Sequence, residues 1–229
     1  MEREKTGIKK ADSMMQGGLP KGSIISLTGP PGVGKSIFVL HFLLEGARKG
    51  QKCVYINLEE PRRNIDNMIS QFNFSREFLR FVEEGKIVIK CYTYPEYEKL
   101  YSELFQKIKE DDNIQRLVID SFNCFFSSMT NQESLNLPVE ISSRRMINYA
   151  FSMLRKKELT TIAILEMHDS KHRFYYNIPY LVDGIIKLDF LELGTIERRI
   201  FIPKMRWTDQ YRESRPYEIS KKGIIIKEE

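Results

Sequence analysis

The sequence predicts an α/β fold with a mainly parallel central sheet flanked by helices and antiparallel strands at its C-terminal edge. Three observations predict it. Short apolar runs alternate with longer segments of helical period as far as Met167. A glycine-rich turn, GPPGVGKS, stands where the first strand-like run gives way to the first helical segment. After Asp183 the runs are strand-like, with short turns and no helix long enough for a crossover.

Taken in order, IISLTG (Ile24 to Gly29) reads as a strand, SIFVLHFLLEGARKG as a helix and CVYINL (Cys53 to Leu58) as a strand. IDNMISQF follows as helix, IVIKCY as strand, Tyr94 to Lys109 as helix and RLVID (Arg116 to Asp120) as strand. Val139 to Lys157 reads as helix and TTIAILEM as strand. Alternation of this kind argues for parallel strands covered on both faces. The runs GIIKLDFLELG, IERRIFIPKM, PYEIS and GIIIKEE are then expected as antiparallel edge strands. Phe122 to Pro138 and His168 to Pro179 lack a clear period, and both follow strands whose C-terminal ends line the crevice of such sheets.

At 229 residues the chain fits a single domain, residues 1–229, large enough to bury its own core. Cys53, Cys91 and Cys124 are scattered and lack metal-ligand spacing, so they read as buried thiols of an intracellular protein. No apolar run approaches the roughly 20 residues that span a bilayer, and MEREKTGIKK has no apolar signal segment after it, so a soluble cytoplasmic protein is expected. The net charge of +5 is mild, since 31 acidic residues offset 36 basic ones, and charge alone leaves a nucleic-acid partner undecided.

GPPGVGKS spans Gly29, Pro30, Pro31, Gly32, Val33, Gly34, Lys35 and Ser36, with Ile37 continuing the helix, and matches the phosphate-loop pattern in its required strand–helix context. Glycines let backbone N–H groups turn inward around phosphate oxygens, and the helix N-terminus adds partial positive charge. Lys35 is placed to reach the β- and γ-phosphates and Ser36 to ligate Mg²⁺, so the cofactors expected are ATP and Mg²⁺. Asp120, ending the strand RLVID, is expected to hold the water shell of that ion. Glu59 and Glu60 follow CVYINL, and one of them is placed to polarise water for attack on the γ-phosphate; adjacent residues on an extended chain face opposite ways, so only one points at the phosphates.

With these residues in hand, the chain resembles the KaiC and RadA branch of the RecA-like ATPases, and within it the single-domain archaeal KaiC-like proteins. The resemblance rests on TGIKKADSMMQGGLPKGSIISLTGPPGVGKS, on YINLEEP, on RLVIDS, on VDGIIKL and on KMRWTD, in that order. It implies a RecA-like P-loop core and a slow ATPase that assembles as a homo-oligomer, a ring such as a hexamer or a filament, with ATP between neighbours. Glu59 matches the family's catalytic glutamate, with Glu60 its companion. Lys204 and Arg206, in KMR, match residues that reach across to the triphosphate of the adjacent subunit; a cation delivered in this way contributes on the order of 10³-fold or more in rate. Where recombinase relatives carry a polar sensor after TTIAIL, this chain has Glu166, which argues against fast hydrolysis. One phosphate loop is present, unlike the duplicated clock proteins, so the sequence does not support a circadian role.

The segment HDSKHRFYYN combines Lys171 and Arg173 with Phe174 and Tyr175, a mixture of cations and rings suited to single-stranded DNA. In recombinase relatives the loop at this place touches DNA, which makes single-stranded DNA or a recombinase the expected partner and DNA recombination or repair the expected setting. The competing expectation is an ATP-dependent assembly switch that binds no DNA and hardly turns over.

Overall fold

The computed structural model describes residues 1–92, 108, 110–124, 139–165, 178–193 and 195–227. The helix expected over Tyr94 to Lys109 lies outside these residues apart from Ile108.

A small antiparallel pair, β1 (Arg3–Glu4) with β2 (Leu19–Pro20), brackets α1 (Lys9–Met14). Among the described residues, the main sheet has nine strands in the order β11-β10-β9-β8-β3-β7-β6-β4-β5. Its parallel part comprises β3 (Ile24–Thr28), β4 (Lys52–Asn57), β5 (Ile87–Cys91), β6 (Ile114–Asp120) and β7 (Thr160–Leu165). Helices α2 (Lys35–Arg48), α3 (Arg62–Ser70), α4 (Ser75–Glu83) and α5 (Val139–Lys156) connect or flank these strands, and the short α6 (Ile178–Leu181) precedes the last four. Those are β8 (Gly184–Leu193), β9 (Thr195–Met205), β10 (Arg215–Ser220) and β11 (Gly223–Ile226).

Alternation along the strands divides the core in two, since successive side chains leave opposite faces. Ile25, Leu27, Val118, Ile164, Ile186 and Leu188 pack with Phe38 and Phe42 of α2 on one face. Ile24, Ile56, Leu117, Ile119, Ala163 and Leu165 pack with Ile147, Phe151 and Leu154 of α5 on the other. Both faces are therefore covered, as the near-continuous apolar runs of the parallel strands require.

Two differences from the sequence reading stand out. The edge is not wholly antiparallel: β8 pairs parallel to β3 over Gly184–Lys187 and antiparallel only to β9. Asp183 fixes this, because its N–H donates to the Ile24 carbonyl while its Oδ2 accepts the Ile24 N–H, at 2.8 and 3.0 Å, so the start of β8 is held beside the start of β3. The second is α4, whose sequence SREFLRFVE buries Phe78 and Phe81 three apart on one face. Of the thiols, Cys53 is buried, and that burial pushes it up to about 12, whereas Cys91 and Cys124 are only half-buried.

Candidate nucleotide site

The phosphate loop occupies the C-terminal end of β3. At Gly29, φ is +151°, and a Cβ there would lie 2.0 Å from the Leu188 carbonyl of β8; at Gly34, φ is +96° and a Cβ would lie 2.7 Å from Ile219. A side chain at Gly29 would collide with the β8 backbone, whereas at Gly34 the Ile219 tip can give way and it is the positive φ that favours glycine. Gly34 caps α2 with no side-chain hydrogen bond, which leaves the first N–H groups of a 14-residue helix available to an anion. The Tyr217 hydroxyl of β10 donates to the Val33 carbonyl at 2.5 Å and so fastens the loop from the antiparallel side of the sheet.

Lys35 is buried and donates through Nζ to the carbonyls of Gly29 (2.9 Å) and Pro30 (3.1 Å), curled over the loop it belongs to. Ser36 Oγ donates to Asp120 Oδ2 at 3.0 Å. A hydroxyl and a carboxylate so placed are hard oxygen donors, and Mg²⁺ is held by one or two such protein oxygens together with substrate phosphates, so Ser36 and Asp120 fit that ion. Among the described residues no cluster of three or more His, Cys, Asp or Glu forms an all-protein metal cage. Burial pushes the Asp120 carboxyl up to about 6, against the bonds it accepts from Tyr55 and Ser36. An ion beside it would restore the charged form.

The two glutamates separate. Asn57, buried at the end of β4, accepts the N–H groups of Glu59 and Glu60 on Oδ1, at 3.1 and 2.6 Å, and this turns the chain out of the strand. The Glu59 carboxylate then accepts a hydrogen bond from Ser121 Oγ, next to Asp120, while Glu60 accepts one from Asn64 at the start of α3. Glu59 thus stands on the Asp120 side and Glu60 leans away from it.

Lys204 and Arg206 lie at the other end of the sheet. Lys204 Nζ donates to the carbonyls of Pro179 and Val182 at 2.7 and 2.8 Å, and Arg206 pairs with Asp183 at 3.1 Å. Burial, and then the Arg206 charge, pull the Lys204 ammonium below its usual range. Asp183 is bonded to Ile24, the first residue of β3, whereas the phosphate loop follows Thr28, the last. At about 3.3 Å per residue, the strand alone keeps the two groups about 13 Å apart. The chain therefore does not bring Lys204 or Arg206 to its own Lys35. Glu166, Lys171, Arg173, Phe174 and Tyr175 lie outside the described residues.

The family sequence model described as "ATPase: KaiC" matches residues 4–229. The chain belongs to the KaiC ATPase family. A UPF0273 protein of Pyrococcus furiosus is 29% identical, over 99% of this chain and 94% of its own length. The circadian clock oscillator protein KaiC of a Picosynechococcus species is 28% identical, over 99% of this chain but 43% of its own length. The crystal structure of a KaiC-like protein from Pyrococcus horikoshii superposes with a TM-score of 0.81, at 28% identity and 99% coverage of both chains. That match agrees with the KaiC-like α/β architecture derived from the strand order. No helix among the described residues is long and apolar enough to cross a membrane.

Sequence reasoning passed over Tyr55, Asn57, Ser121 and Tyr217. Tyr55 and Asn57 had a visible signal: a hydroxyl and an amide inside the otherwise apolar strand CVYINL need buried partners.

Proposed function

We propose that this KaiC-family chain binds ATP with Mg²⁺ and hydrolyses it slowly, at a site that two copies complete between them. The observation that carries the reading is the convergence of Lys35, Ser36, Asp120 and Glu59 at the end of β3, with Ser36 3.0 Å from Asp120. Lys35 exchanges the carbonyls of Gly29 and Pro30 for phosphate oxygens, a stronger partner because it is charged. Ser36 and Asp120 would hold Mg²⁺, which when bound would supply charge neutralisation on the phosphates. Glu59, turned toward Asp120, takes the proton of the attacking water, and Glu60 steadies the turn through Asn64.

Lys204 and Arg206 serve the phosphates of a second copy, since their own chain holds them at the far end of the sheet from its loop. Such a head-to-tail contact is heterologous and closes into a ring or runs on as a filament. A regulatory role in DNA recombination or repair is supported by the composition of HDSKHRFYYN alone; joint substitution of Lys171, Arg173 and Tyr175 should weaken single-stranded DNA binding and flatten its salt dependence.

The test is ATP turnover per subunit across a wide range of protein concentration, at excess ATP and Mg²⁺. Specific activity that climbs with concentration supports a site completed between copies. Retained ATP binding with no turnover at any concentration would replace hydrolysis with the assembly-switch reading.

A further inference from the structure

Beneath the phosphate loop a chain of buried polar groups links Asp120 to the Glu59 turn, and the Tyr55 hydroxyl in it has no role in the reading above. Tyr55, at 0% exposure, donates its hydroxyl proton to Asp120 Oδ2 at 2.7 Å. With its one proton engaged in that bond, the Tyr55 oxygen accepts from Asn57 Nδ2 at 3.2 Å. The other end of the same amide, Oδ1, accepts the backbone N–H groups of Glu59 and Glu60. Glu59 in turn accepts from Ser121, whose backbone neighbour is Asp120. The circuit closes: Asp120, Tyr55, Asn57, Glu59, Ser121 and back to Asp120.

Its donors and acceptors are consistent in only one orientation. Asn57 must present its oxygen to the two N–H groups, so its nitrogen faces Tyr55, and Tyr55 must then donate to the carboxylate. The strand ends reinforce this, because Asn57 pairs with Asp120 across β4 and β6, and the Leu58 N–H donates to the Asp120 carbonyl at 2.6 Å. Asn57 is 1% exposed and Asp120 5%, so water competes poorly for these bonds, and a buried member left without its partner is costly. Tyr55 and Ser36 both donate to Oδ2, which fixes the rotation of the carboxylate.

We infer that Tyr55 and Asn57 are positioning residues that lock the Mg²⁺-side carboxylate of Asp120 to the Glu59 turn, so that metal placement and base placement are set as one unit. The inference rests on the Mg²⁺-nucleotide reading and adds to it two residues that touch neither nucleotide nor ion. Partners of this kind, one bond removed from a metal ligand, orient the ligand and typically contribute 10- to 100-fold, to order of magnitude, in metal affinity or activity.

The experiment compares wild type with Tyr55→Phe, which keeps the ring and removes only the hydroxyl. ATP affinity is measured by titration calorimetry in EDTA and again in excess Mg²⁺, and the thermal midpoint is followed alongside. The expected result is that Mg²⁺ tightens ATP binding to wild type, and that Tyr55→Phe loses about 10-fold of this enhancement, with Mg²⁺-free affinity unchanged and partial recovery at higher Mg²⁺. Asn57→Ser should give a similar loss, and the double variant should be no worse than the more affected single one, because both break one circuit. If Tyr55→Phe retains the full Mg²⁺ enhancement, or if both affinities fall together, the positioning role is overturned while the nucleotide reading stands. If wild type itself binds no ATP in either condition, the nucleotide reading falls and the inference with it.

Discussion

The two ends of β3 carry the same kind of chemistry in two different states. At the phosphate-loop end, Lys35 rests on two carbonyls of its own loop, beside a hydroxyl and a carboxylate already in contact. At the opposite end, Lys204 rests on two carbonyls of the α6 segment, and Arg206 on the Asp183 carboxylate. Each cation is satisfied locally by oxygens that a phosphate group can displace. The difference is that, among the described residues, the first end has the geometry of a binding loop, whereas the second has the cations Lys204 and Arg206. On the reading proposed above, the two ends are complementary halves of a site that a second copy completes.

The largest effect expected from breaking this comparison comes from the second half. Arg206→Ala should lower ATP turnover about 10³-fold, and Lys204→Ala by a comparable factor, with little change in ATP affinity of the isolated chain. Equilibrium binding measured beside steady-state turnover separates the two effects. Were the affinity to fall and the turnover per bound nucleotide to hold, these cations would belong to a binding site within one chain.

The next prediction concerns how the antiparallel edge is attached to the phosphate-loop helix. His41 of α2 accepts the Ile224 N–H of β11 on Nε2 at 3.1 Å, and burial, then Arg48, lowers it from 6.5 to about 4. Because the folded value lies below the unfolded one, its stabilisation is fully present above about pH 6.5 and is lost as pH falls toward about 4. A shift of this size corresponds to about 3 kcal/mol, since each pKa unit is about 1.4 kcal/mol. Chemical denaturation at pH 7 and pH 4.5 reads this as a difference: wild type should lose more stability over that fall in pH than His41→Gln, because Asp120, pushed up to about 6, gains stability over the same range in both proteins and offsets the loss in the wild type itself.

Smaller effects sharpen the first half of the comparison. Glu59→Gln should cost about 10²-fold in turnover, as expected for loss of a general base, while Glu60→Gln should change it less than about threefold. Equal losses would mean that the turn held by Asn57, not the carboxylate facing Asp120, is what matters.

Much of this arrangement was legible in the chain, for physical reasons that differ by element. The strand IISLT and the helix after GPPGVGKS announce themselves because an apolar run must give way to a glycine turn where the backbone approaches β8. The separation of Glu59 from Glu60 was not legible, since it depends on an amide two residues earlier accepting both N–H groups. The parallel pairing of β8 was also hidden: it depends on Asp183 bonding both backbone groups of Ile24, which are distant in sequence. Helix α4 escaped because nine residues ending in FVE hold only a short apolar stripe before the turn into β5. Tyr217 could not be assigned from sequence, because its partner Val33 is 184 residues away.

The central claim, that the two halves belong to one site built from two copies, is tested most directly by mixing two inactive proteins. Lys35→Ala destroys the loop half and keeps the cations; Arg206→Ala keeps the loop and removes a cation. Mixed in equal amounts and allowed to reassemble, they should regain about a quarter of wild-type turnover, because one random head-to-tail interface in four joins an intact loop to intact cations. A mixture no more active than the sum of its parts would contradict the account.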